Sequence, residues 1–304
     1  MGSSRVVAVI GLGSMGLGMA RSLIRSGHRV LGYDLNAAAL EKLVKSGGAA
    51  CQNPAATARD ADVLLVVVVN ATQTQSVLFG PNGAVAAMKP GSVVISSATM
   101  LPAEAQKFAT LAYESDVLYL DAPVSGGMGK AEAGELTIMA SGSAAAFSAA
   151  QPVLDAMAQT IYALGDDVGI GSSFKIVNQL LAGVHIAAAC EAITFAKRLG
   201  LDISKVFEVL TKSAGNSWMF EDRIPHILKG DYTSRSAVSI FTKDLGIVSD
   251  LSRKQSFPLP VANAALQLFL MTEAAGMGSD DDASVARLLA QISGIDLPEG
   301  EQSA

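Results

Sequence analysis

Short apolar runs alternate with helical patterns through the first half of the chain. "RVVAVIG" reads as a strand, "SMGLGMARSLIRSG" as a helix and "HRVLGYD" as a second strand. Further strand patterns follow in "DVLLVVVV", "SVVISSA", "VLYLDAPV", "LTIMASG" and "IYALG". These runs are rich in β-branched residues and lack polar alternation, as expected of strands buried on both faces of a parallel sheet. Strand–helix alternation predicts a doubly wound α/β domain over residues 1–168.

The texture then changes. From Ser172 onward no segment has a strand pattern. "FKIVNQLLAGVHIAAACEAITFAKRLG" predicts one long central helix, apolar nearly all round and closed by Gly200. A helix of that kind belongs in the middle of a structure. Further helices are expected at Ser204–Ser213, Lys243–Gln255, Leu259–Ala275 and Ser284–Ser293, with a frayed polar tail after Asp296. Residues 169–304 therefore read as an all-α C-terminal domain, joined to the first by the long helix.

Composition narrows the classes. Half of the 304 residues are hydrophobic and 16% are charged, which excludes a disordered chain. A net charge of -6 excludes broad nucleic-acid affinity, because phosphate binding needs a basic surface. So little charge over so much surface predicts a homodimer or homotetramer. Cys51 and Cys190 make no framework and read as small core residues in a reducing compartment. The first strand starts too soon for a signal peptide, and the longest apolar run, Val63–Val69, is too short to span a bilayer. The expectation is a cytoplasmic protein with no membrane partner. Three scattered histidines without H-E-x-x-H predict no metal site, and "SDDDAS" at Ser279–Ser284 reads as a solvated helix start.

"VIGLGSMGLGMA" places Gly11, Gly13 and Gly16 in a G-x-G-x-x-G turn, with Leu12, Ser14 and Met15 between them. It follows a strand and opens a helix, which is the Rossmann-type context in which a pyrophosphate sits at a helix N-terminus. Asp34, 23 positions after Gly11, ends the second strand. A carboxylate there accepts from adenosine ribose hydroxyls and repels a 2′-phosphate, so NAD is expected over NADP. Asn70 and Thr99 end later strands and are candidates for the nicotinamide ribose, or equally for a helix cap or turn.

"DAPVSGGMGKAEAGEL" offers the Ser125 hydroxyl and the Gly126 and Gly127 backbone to an anion such as a carboxylate; the alternative is an ordinary surface turn. In "GIGSSFKIVNQLL", helical spacing puts Lys175, Asn178, Gln179 and the small Ala182 on one face. A lysine alone at a helix start reads as a snorkelling side chain or as a base. The preceding glycines read as a hinge between the domains.

Taken together, "GLGSMGLGMA", "DAPVSGG", "GIGSSFKIVNQ" and "FTKDLGIV", in that order, resemble the β-hydroxyacid dehydrogenase family, which includes 3-hydroxyisobutyrate, tartronate semialdehyde and L-threonate dehydrogenases. The resemblance covers nearly the whole chain. It implies NAD-linked hydride transfer from a small hydroxy acid, with Lys175 as catalytic acid/base and Ser125, Gly126 and Gly127 holding the substrate carboxylate. It implies Asn178 as a substrate or lysine partner, with Gln179 beside it where many members have asparagine. It also implies that Lys243 and Asp244 approach the cofactor. "NQLLAGVHIAAA" and "SAGNSWMFEDRIPHILKGDYTSRSAVSIFTKDLG" are most similar to the L-threonate branch. Asn216, Ser217 and Trp218 are candidates for partners of a polyol's hydroxyls, or a helix–loop junction with Trp218 in the core. The competing class is a non-catalytic dinucleotide-binding protein on the same fold.

Overall fold

The computed structural model describes residues 4–300. By the clustering of its contacts the chain divides into two units, one ending at Ile176 and the other starting at Val177.

The first unit alternates strands and helices: β1 (Val6–Ile10), α1 (Ser14–Arg25), β2 (Arg29–Tyr33), α2 (Ala37–Lys45), β3 (Ala49–Ala50), α3 (Pro54–Ala58), β4 (Val63–Val66), α4 (Ala71–Phe79), β5 (Val93–Ser96), α5 (Pro102–Tyr113), β6 (Leu118–Asp121), β7 (Val124–Ser125), α6 (Gly127–Ala133), β8 (Leu136–Ala140), α7 (Ala144–Met157) and β9 (Ala158–Ala163). Six strands form a parallel sheet in the order β3-β2-β1-β4-β5-β6. The period-2 geometry of a strand shows in its core. Val7, Val9, Val63, Leu65, Val93 and Ile95 enter one cluster, against α1 and α7. Ala8, Ile10, Leu64, Val66 and Val94 enter another, against α4 and α5. Burial on both faces is why these runs lack polar alternation.

The apolar pattern does not announce the two-residue strands β3 and β7. The "LTIMASG" and "IYALG" strands do not extend the parallel sheet either. They form a separate sheet, β7-β8-β9, in which β7 pairs antiparallel to β8 and β9 parallel to it. β9 is an edge strand, and Gln159, Tyr162 and Ala163 on it are exposed.

The second unit is helical. Among the described residues it holds no strand beyond one isolated bridge, Ala237 to Asp281. α8 (Ile170–Arg198) begins in the first unit and runs on through the second, followed by α9 (Ile203–Leu210), α10 (Trp218–Lys229), α11 (Val238–Lys254), α12 (Pro260–Thr272) and α13 (Val285–Ser293). Its core joins Ile186, Cys190 and Ile193 of α8 to Phe220 and Ile224 of α10, Phe241 and Leu245 of α11, and Phe269 of α12. α10 carries no clear apolar period, because Arg223 and His226 occupy buried positions and Pro225 lies inside the helix. α11 starts five residues before Lys243, not at it.

Several expectations are corrected. Only half of the most apolar window of α8 is buried, and Phe174, Val177, Leu181 and Phe195 are exposed. By length and composition α8 is apolar enough to cross a membrane, which a search for unbroken apolar runs misses. Cys190 is buried, whereas Cys51 is only half-buried. Residues 297–300 are not frayed: Leu297 packs on the helical core, and the backbone at Gly300 lies against Gly230. The rest of the predicted tail, 301–304, lies outside the described residues, as do residues 1–3.

Most of the "SDDDAS" segment is not solvated: Ser279 is exposed and Asp280 half-buried, but residues 281–284 are buried. Asp281 and Asp282 are fully buried. Arg223 holds Asp282 in a two-pronged pair, Nε to Oδ1 at 2.5 Å and Nη2 to Oδ2 at 3.0 Å. His226 Nδ1 lies 2.9 Å from Asp281 Oδ1, and Arg235 donates to His226 Nε2. Replacing Arg223 by leucine strands Asp282 without its cation. We expect a loss of about 3–5 kcal/mol in urea unfolding. A loss below about 1 kcal/mol would show the pair to be dispensable.

Candidate active site

The glycine-rich turn is built for close approach. A Cβ on Gly16 would lie 1.9 Å from Gly11 O, so only glycine lets α1 start against the end of β1. Gly13, by contrast, has open space around it. α1 opens with Gly13 as N-cap and no side-chain cap, leaving first-turn N–H groups for an anion. Ser14 is exposed and Met15 half-buried at this opening. Leu12 serves differently: its side chain is in the core, and its N–H donates to Asp34 Oδ2 at 2.6 Å. Asp34 Oδ1 accepts from Asn36 N at 2.7 Å. These bonds pin the carboxylate at the end of β2 and leave lone pairs for ribose hydroxyls. Leu35 beside it is exposed and brings no cation. The donor set fits a dinucleotide with a free 2′-hydroxyl.

The alternatives left open for Asn70 narrow. Its side chain caps α4, accepting from Gln73 N at 2.9 Å. Thr99 is half-buried in the segment between β5 and α5.

Ser125 ends β7, and Gly126 and Gly127 follow at φ +139° and +73°, where other residues are strained. Lys175 lies in the second turn of α8 and is 8% exposed. Its Nζ donates to Val124 O at 2.8 Å, one residue before the serine–glycine loop. The structure thus brings Lys175 to that loop within the first unit.

The residue that sequence reasoning missed is Asp121. It ends β6, is 1% exposed, and accepts from Gly169 N at 3.1 Å, Ser172 N at 2.7 Å and Ser172 Oγ at 2.8 Å. Burial pushes its carboxyl up from the usual range, opposed by the Ser172 N–H and hydroxyl and the Gly169 N–H. The same residue bridges to Ser141, just beyond β8. Gly171 lets α8 come this close: a Cβ there would lie 2.4 Å from Met139 O. The glycines read as a hinge are buried and packed: Gly169 precedes α8 at φ +102°, and Gly171 lies in its first turn. A signal existed, since a charged residue ending an apolar strand of a buried sheet must find donors.

In the second unit, Asn178 Nδ2 donates to Gln179 Oε1 at 3.0 Å, and Gln179 Nε2 donates to Asp244 Oδ2. Lys243 Nζ lies 2.6 Å from Asp244 Oδ1. Asn216 donates to Thr211 O and Glu221 Oε1, and Ser217 caps α10. That stretch is the helix junction, but Trp218 is 51% exposed and not in the core.

A doubly wound sheet, an uncapped glycine turn and an acid ending β2 define a nicotinamide dinucleotide-dependent oxidoreductase. Residues 6–165 match the NAD-binding domain of 6-phosphogluconate dehydrogenase, and residues 169–289 match the NAD-binding family of NADP-dependent 3-hydroxyisobutyrate dehydrogenase. L-threonate dehydrogenase of Cupriavidus necator is 52% identical over 97% of this chain and 98% of the relative. The L-threonate dehydrogenase of Escherichia coli K12 is 48% identical over 98% of each. The crystal structure of 3-hydroxyisobutyrate dehydrogenase from Salmonella typhimurium superimposes with a TM-score of 0.89 at 48% identity, covering 93% of this chain and 99% of that one. The chain belongs to the β-hydroxyacid dehydrogenase family, the 3-hydroxyisobutyrate dehydrogenase-like enzymes.

Asp121→Ala leaves two buried backbone donors and a hydroxyl without an acceptor. Thermal and urea unfolding are expected to show a loss of at least about 2 kcal/mol. Wild-type stability in this variant would mean that α8 is held elsewhere.

Proposed function

We propose that this enzyme oxidises L-threonate to the corresponding 2-oxo acid with NAD, using Lys175 as the general acid/base. The observation that carries the reading is the buried Lys175 amine, held at Val124 O beside the Ser125–Gly127 loop. The L-threonate dehydrogenases among the relatives, similar along nearly their full length, support the substrate.

The bound nicotinamide supplies the hydride acceptor. The chain's residues do the rest. Ser125 and the backbone of Gly126 and Gly127 hold the substrate carboxylate, which orients the adjacent carbon. Lys175, neutral at that moment, takes the proton from the C2 hydroxyl as the C2 hydride leaves; an alcohol becomes a ketone and the amine an ammonium. The proton then passes to solvent. In the reverse direction the ammonium returns it to the carbonyl oxygen.

A second reading, oxidation of 3-hydroxyisobutyrate, is favoured by the name of the Salmonella structure. An NADH absorbance assay with L-threonate, 3-hydroxyisobutyrate and tartronate semialdehyde separates them. Preference for L-threonate is expected, and turnover of none would leave the non-catalytic alternative. Lys175→Ala is expected to keep cofactor affinity and lose turnover by a factor on the order of 10² or more. Lys175→Arg should fail likewise, because arginine stays protonated. Near-normal kcat in either variant would remove lysine from its role. Repulsion between Asp34 and a 2′-phosphate should favour NAD over NADP by more than about tenfold in kcat/KM, some 1.4 kcal/mol. Asp34→Ala should erase most of that ratio.

We also read the protein as a soluble cytoplasmic homo-oligomer. The exposed apolar side chains Phe174, Val177, Leu181 and Phe195 on α8 support association. Sedimentation equilibrium tests it, and a monomer at micromolar concentration would contradict it.

A further inference from the structure

Four polar side chains form a row inside the helical unit: Lys243, Asp244, Gln179 and Asn178. The row exists because α8 and α11 approach closely at Gly183, where a Cβ would lie 2.9 Å from Leu245 Cδ1. Asp244 is 2% exposed and Gln179 7%.

Each bond in the row has a direction. A carboxylate beside an ammonium only accepts. Gln179 must therefore turn its NH₂ group to Asp244, which leaves its carbonyl toward Asn178. Asn178 must in turn direct its NH₂ group back to Gln179. Its own carbonyl oxygen is then fixed at the other end of the planar amide group, away from Gln179. Without the charge at 244, either amide would fit the same space turned by half a rotation, with donor and acceptor exchanged.

We propose that Asp244 and Gln179 are positioning residues that set the hydrogen-bond polarity of Asn178, and that Asn178 thereby selects a substrate carrying a hydroxyl donor over one with a methyl group at the same place. This rests on the function proposed above and on Asn178 being a substrate partner, one of the two roles that the family resemblance implies for it. The chemistry is that of a polyol acid: an extra hydroxyl finds an acceptor already turned toward it, while a methyl leaves that acceptor unpaired. The Gln179 amide is occupied at both ends, so it acts through its neighbour and not by touching the ligand.

The test is a charge transfer along the row. In Asp244→Asn, Lys243 claims the new amide's oxygen, its NH₂ faces Gln179, and both following amides invert. In Gln179→Glu, two carboxylates meet. In the double variant, the introduced asparagine accepts from Lys243 and donates to the introduced glutamate. That glutamate accepts from Asn178, so the polarity at Asn178 is that of the wild type. The readout is the ratio of kcat/KM for L-threonate to that for its 4-deoxy analogue, with Tm and NADH affinity measured on the same four proteins. Asp244→Asn is expected to lower the ratio by about tenfold, or 1.4 kcal/mol, whereas Gln179→Glu, whose carboxylate still accepts from Asn178, is expected to lower Tm and to hold the ratio within about threefold. The double should recover it to within about threefold, or 0.7 kcal/mol. An unchanged ratio in Asp244→Asn, or a well-folded double that does not recover, would overturn the proposal. If wild type turns over neither acid, the functional reading has failed and the row is judged by Tm alone. Lower Tm in both singles with recovery in the double supports it; independent, additive losses overturn it.

Discussion

The carboxylate of Asp121 is the interaction on which the rest of the first unit depends. It ends the last strand of the parallel sheet and bridges to Ser141, so two sheets meet at one residue. The same carboxylate receives the first turn of α8 through Gly169 N, Ser172 N and Ser172 Oγ. A negative charge at a helix N-terminus satisfies the orphan donors there and complements the macrodipole. Three residues further along the same segment, Val124 O takes the Lys175 amine. One short stretch, residues 121–124, therefore grips α8 twice, once at its start and once at the side chain offered as the base. Burial opposes a charge at Asp121, and three donors answer it.

The second unit is organised by the same physics with more charges. Arg223, His226 and Arg235 are matched to Asp282, Asp281 and Asp231 around the loop between α10 and α11. The backbone follows: Asp281 N donates to Tyr232 O and Asp282 N to Ser236 O. Such pairs cost desolvation and contribute less to net stability than an apolar core of equal volume. Their effect is directional, since each charge admits few partners. The Lys243–Asp244–Gln179–Asn178 row extends that principle to neutral amides, whose shape alone does not tell donor from acceptor.

Much of this was legible in the residues. The glycine turn, the acid at 34 and the strand runs are local patterns with local causes, and they appear where the spacing puts them. Lys175 stood out because one ammonium in an apolar helix needs a reason. What escaped shares a trait. Asp121 is an ordinary aspartate until α8 arrives above it. "SDDDAS" has the composition of a solvated turn until Arg223 and His226 are placed beside it. Helix α10 hides because charged residues sit at its buried positions, where the apolar period expects leucine. Gly171 looked like a hinge, and is a glycine for the opposite reason, that Met139 O comes too near for a side chain.

Residue order alone is enough for the doubly wound N-terminal half, the helical C-terminal half, the dinucleotide turn and the candidate base, because each rests on the periods of 2 and 3.6 or on short fixed spacings. Folding in three dimensions was needed to settle which charges are buried, what each one answers, and which way the amides of Asn178 and Gln179 face. The physical reason is range. Propensity and periodicity act between near neighbours, whereas a buried polar atom is satisfied by whatever the fold brings within about 3 Å. That partner lies 51 residues away for Ser172 and Asp121, and 65 for Gln179 and Asp244.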